Sequence, residues 1–127
     1  VKTALSNKAD ATPPKRYDLP LVDGMVHYSP ETESSYAKAD DGLVTVHFYC
    51  KKEDGSSFSG DTYIAIVPAG FRPLHNVHAA ALLSETGDSL YSNQCSVAVC
   101  DPNGRIWINN VPIGTKAVTA TLVFYSA

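Results

Sequence analysis

The run Arg105-Ile106-Trp107-Ile108-Asn109 carries the clearest chemical signal in the sequence. Side chains of a strand alternate between its faces, so both isoleucines fall on one side and Arg105, Trp107 and Asn109 on the other. An outward indole between a guanidinium and an amide can stack on the apolar C–H face of a sugar while its neighbours bond the hydroxyls. The same indole would serve equally well to anchor one subunit against another. On both accounts the only Trp of the chain is expected to point away from the core. A second candidate is the polar stretch 85–94, where Gly87 permits a sharp turn and Asp88, Tyr91, Asn93 and Gln94 stand between apolar runs. Loop tips on a rigid scaffold carry recognition, although an ordinary solvated loop has the same composition. Ser29 to Tyr36 has the same character.

Other reactive residue types lack the company that chemistry requires. His75 and His78 form an HxxH in an extended segment, where the rings would point to opposite faces, and no cysteine pair or H-E-x-x-H motif accompanies them. His27 and His47 stand singly in strand-like runs and read as interface or surface residues. Asp40-Asp41-Gly42 reads as a turn rather than a calcium loop. Asp54, Asp61, Asp88 and Asp101 all fall in turns, and neither a nucleophile elbow nor a phosphate-cradling glycine loop is present. Arg72, between Phe71 and Pro73, suits a structural role, its donors meeting the carbonyls of a bent segment. The sequence therefore predicts no catalysis, no metal and no cofactor.

Cys50, Cys95 and Cys100 make an odd count without a CxxC pair. Along an unbroken strand Cys95 and Cys100 would lie about 16 Å apart on opposite faces, too far to bridge. Three reduced, mostly buried thiols are expected, as suits folding in a cytosol.

The elements that must position these residues are short and β-type. With 127 residues, 44% hydrophobic and 18% charged, the chain has material for one packed domain. A formal charge of -3, with no basic stripe, argues against nucleic acid, and no apolar run is long enough for a membrane-spanning helix. Residues 1–12 have helix formers at helical spacing until Pro13-Pro14 stops them, which suits the end of a stalk and equally a disordered terminus. With no secretory signal and no initiator Met, the chain is expected to be a C-terminal piece of a longer polypeptide.

From Tyr17 onward, β-branched and aromatic runs alternate with turn residues, the pattern of an antiparallel barrel or sandwich. Leu43–Cys50 and Asp61–Val67, around Asp54-Gly55, are expected to pair as a hairpin. Gln94–Cys100 and Arg105–Asn109, around Asp101-Pro102-Asn103-Gly104, form the clearest hairpin. Val118–Tyr125 is nearly apolar on both faces by its end, which suits an outer side covered by another copy of the chain or by a second sheet, or else a sandwich strand with a few exposed apolar side chains.

Val67-Pro68-Ala69-Gly70-Phe71-Arg72-Pro73 resembles the LPxGYRP segment of the C-terminal head domains of phage tail fibres and receptor-binding proteins. Val67 stands for the usual Leu and Phe71 for the Tyr. The order of elements is also similar: Thr62–Val67, Val77–Leu83, Gln94–Cys100, Asn103-Gly104-Arg105-Ile106-Trp107-Ile108, then Val118–Tyr125 at the C-terminal end. The likeness covers roughly residues 40–127, and Leu5–Asp10 resembles the linkers that join such heads to fibre shafts. The resemblance implies an all-β barrel or sandwich head (17–127) behind a helical or linker segment (1–16), assembled as a homotrimer. Its implied role is host adhesion at a virion's tail-fibre or baseplate tip, attached to other tail proteins through the N-terminus and binding a bacterial surface saccharide or other receptor. Arg105, Trp107, Asn109, Asp88, Tyr91 and Asn93 are the expected ligand contacts. A trimerising cap without receptor contact, or a saccharide-cleaving module, are the alternatives.

Overall fold

The computed structural model describes residues 13–30, 34–84 and 95–127. They form nine strands: β1 (Tyr17–Asp18), β2 (Met25–His27), β3 (Ser35–Lys38), β4 (Leu43–Lys52), β5 (Phe58–Ile66), β6 (Val77–Ser84), β7 (Cys95–Cys100), β8 (Arg105–Thr115) and β9 (Ala117–Tyr125). All pair antiparallel in one sheet of order β1-β3-β4-β9-β6-β7-β8-β5, with β2 added to β4 beside β3. No helix among the described residues is long and apolar enough to cross a membrane.

The centre of the sheet follows from alternation. Val44, Val46, Phe48 and Cys50 on β4 are fully buried, and they pair with Phe124, Leu122, Ala120 and Val118 on β9 in an unbroken register. Two strands with apolar residues at every second position can bury one whole face only in such a register. Thr119 is buried on the other face, and its hydroxyl donates to the Phe48 carbonyl at 2.8 Å.

Residues 17–22 curl the sheet. Tyr17 and Asp18 pair with β3, while just beyond them the Ile66 amide donates to the Pro20 carbonyl and the Val22 amide to the Ile64 carbonyl, both at 3.0 Å. One continuous stretch thus hydrogen-bonds to both ends of the strand order, wrapping the sheet around Phe48, Phe58, Ile64, Leu83, Ile106, Ile108 and Leu122. This is the expected antiparallel all-β architecture.

Several expectations are corrected. The strands on either side of Asp54-Gly55 do not pair with each other: β4 takes β9, β3 and β2 as neighbours, and β5 takes β8. The turn does reverse the chain, with Gly55 at φ 77° and its amide bonded to the Lys52 carbonyl. The long register with β9 offers β4 more matched burial than a local hairpin would. Of the loop expected over Ser29–Tyr36, residues 31–33 lie outside the described residues, whereas Ser34 and Tyr36 are buried and Ser35 begins β3. Cys50 and Cys100 are buried thiols, but Cys95 is exposed. The β7–β8 hairpin stands as expected, whereas the expected N-terminal helix lies outside the described residues.

Candidate functional site

The β7–β8 turn is built from its own sequence. The Asp101 carboxylate accepts the Asn103 amide at 2.9 Å, the Arg105 amide at 3.0 Å and the Arg105 Nε at 2.9 Å. Burial of Asp101 makes each of these bonds count, because an unpaired carboxylate there would be costly. Gly104 follows at φ 83°, and its carbonyl accepts the Val67 amide at 2.8 Å. Arg72 donates its Nε to the Val67 carbonyl at 2.8 Å. The 67–73 segment thereby clamps the turn that launches β8, which is the structural role expected of Arg72.

Beyond the turn, Ile106 and Ile108 are fully buried while Arg105, Trp107 and Asn109 face outward, as alternation predicts. The Trp107 Nε1 donates to Asn109 Oδ1 at 2.8 Å, so the indole edge is satisfied within the chain and its ring is held in place. Arg105 is fixed at Nε by Asp101, its side chain still 52% exposed. Tyr63, opposite Trp107 across the β5–β8 pair, has its ring centre 6.0 Å away at 48° and is 53% exposed. Val99, the partner of Trp107 on β7, lies on this same outer face yet is 1% exposed. The indole is therefore seated over a covered surface, not projecting freely. The patch ends at Asn110, whose left-handed φ of 49° is held by its amide donating to Asp61 at 2.9 Å.

The result is two neighbouring aromatic rings bordered by a guanidinium and an amide that are already oriented. Fixing these side chains beforehand lowers the entropy lost when a ligand settles on them. Three of the six expected contacts, Arg105, Trp107 and Asn109, are brought together here. Asp88, Tyr91 and Asn93 lie outside the described residues. Tyr63 was missed: alternation against Ile64 places it outward, but its position beside Trp107 depends on the long-range β5–β8 pairing. Other polar residues serve the fold. His27 Nδ1 accepts the Ser34 amide at 2.9 Å, and His47 Nδ1 lies 2.9 Å from the Thr121 hydroxyl. Among the described residues no three His, Cys, Asp or Glu side chains are grouped to hold a metal ion.

A single curled antiparallel sheet carrying its polar-aromatic patch on the outer wall defines a small all-β module. In fold it is similar to the receptor binding protein (gp15) of Listeria phage PSA, with a TM-score of 0.65, 16% identity, and coverage of 98% of this chain and 76% of that one. No protein-family model matches the sequence, and no curated protein does.

Proposed function

We propose that this chain is the host-recognition head of a phage adhesion protein, carried on the virion at a tail-fibre or baseplate tip, and that it binds a bacterial surface saccharide without catalysis. The observation that carries this reading is the preset Arg105–Trp107–Asn109 row beside Tyr63, on a fold shared with a phage receptor binding protein. A sugar ring stacks on the indole, while the Arg105 terminal amines and the Asn109 amide nitrogen donate to hydroxyls. Asp88, Tyr91 and Asn93 of the 85–94 segment add further contacts, and the N-terminal linker joins the head to other tail proteins.

Single sugar sites bind weakly, so the head works as a homotrimer in which each contact raises the effective concentration for the next. The outer faces of β6, β7 and β9 supply the apolar surface for assembly: Leu82, Val97, Val123 and Tyr125 are 48%, 43%, 51% and 61% exposed. Replacing Leu82 and Val97 by Glu should give a folded monomer in sedimentation that binds cells far more than threefold worse than wild type, by loss of avidity. Equal binding per head by monomer and wild type, or a wild type that sediments as a monomer, contradicts the multivalent mechanism. The same apolar faces favour the second reading, a trimerising cap, which predicts assembly without binding to cells or wall polysaccharide.

A further inference from the structure

A cavity of about 480 Å3 opens on the far side of Tyr63 from Trp107. It lies where the turn 22–25, the turn 52–54 and Thr62-Tyr63 of β5 meet. Its shape is fixed by backbone bonds: the Glu53 amide donates to the Gly24 carbonyl at 2.8 Å, and Met25 pairs with Lys52 where β2 joins β4. Val22 and Met25 give it an apolar floor continuous with the core. Asp23, Glu53 and Asp54 line its rim with three carboxylates against one ammonium, that of Lys52, which sits 5.7 Å over the Phe58 ring. One Asp54 oxygen accepts the Ser56 amide at 2.9 Å and the Ser56 hydroxyl at 2.6 Å. These bonds hold the Asp54 carboxyl below its ordinary pKa, ionised and ready to accept further bonds through its second oxygen.

Tyr63 belongs to both places. It lines the cavity and its ring stands beside the indole, so the two places adjoin along β5. We propose that this cavity is a second saccharide subsite, which takes an uncharged sugar residue of a chain whose neighbouring residue rests on Trp107. The inference rests on the saccharide reading above. Its volume is that of a small-ligand site, the Tyr63 ring can stack on a sugar ring, and rim carboxylates accept hydrogen bonds from hydroxyls. Their excess negative charge also turns away phosphate- or uronate-bearing residues, giving this subsite a preference for neutral sugars.

The test is a titration of the 15N-labelled full chain with neutral and anionic mono- to tetrasaccharides released from bacterial wall polysaccharides. Lengthening the best neutral sugar from one residue to three should tighten binding about tenfold, as an added stacking and hydrogen-bonding site would. Only the longer probes should shift the Gly24, Glu53 and Asp54 amides. Asp23→Asn with Glu53→Gln should weaken the trisaccharide about fivefold and leave the monosaccharide unchanged. Shifts at Arg105–Asn109 without any at 24, 53 or 54, no gain with length, or a preference for anionic probes would overturn the subsite while leaving the Trp107 reading intact. If no probe moves any amide, the saccharide reading itself fails and the subsite with it.

Discussion

Burial sorts the three cysteines into two inert thiols and one accessible thiol. Desolvation pushes the Cys50 thiol well up, and burial, with the neighbouring Asp101 charge, pushes that of Cys100 up to about 12. Both stay protonated at neutral pH and unreactive, since the thiolate is the nucleophile. A thiol reagent should therefore modify Cys95 alone in the native chain and all three cysteines after denaturation. Rapid native modification of Cys50 or Cys100, mapped by mass spectrometry, would contradict the burial described. His47 gives the fold a pH dependence. Burial first, and the Arg16 guanidinium second, hold its pKa below the ordinary 6.5, against a smaller opposing effect of a hydrogen bond with Ala120. The unfolded chain thus takes up the proton more readily. The His47 contribution to stability is complete above the unfolded value, falls as pH drops through it, and levels off below the folded one. Urea denaturation from pH 7.5 to 5 should show this loss, and His47→Gln should flatten it.

At the scale of elements, the critical joint is the β7–β8 turn against the 67–73 segment. A Cβ at Gly104 would press on the Val67 carbonyl and stand 2.6 Å from Arg72 Nε, at a positive φ as well. Gly104→Ala should cost about 3 kcal/mol or more, by strain and loss of the Arg72 clamp. Gly55→Ala meets only open space at its positive φ and should cost about 1 kcal/mol. Comparable losses at the two positions in denaturant titrations would refute the clamp. Local pattern made this turn and the outward facing of Trp107 readable in advance, because alternation and Asp-Pro-Asn-Gly chemistry act over a few residues. The neighbours of β4 and β5 were not readable. Their pairing is decided by matched burial between segments far apart in sequence, and a turn such as Asp54-Gly55 reverses the chain without dictating which strands then meet. Tyr63 and the cavity beside it were hidden for the same reason, as they exist only once 22–25, 52–54 and β5 come together.

For the whole molecule, the curled sheet separates two jobs. Its inner wall holds the core, which frees the outer wall for contacts with other molecules: apolar side chains on β6, β7 and β9, aromatic and polar ones on β5 and β8. On the function proposed above, one sector serves assembly and another meets the cell surface. The most direct test is the binding of fluorescently labelled wild-type and Trp107→Ala chains, checked for equal folding by circular dichroism, to a panel of bacterial cells and their purified wall polysaccharides. Saturable wild-type binding to some of these cells, competed by their own polysaccharide and reduced about tenfold or more by Trp107→Ala, is the predicted result. Wild-type binding that survives the loss of Trp107 unchanged, or no binding to any cell in the panel, would contradict it.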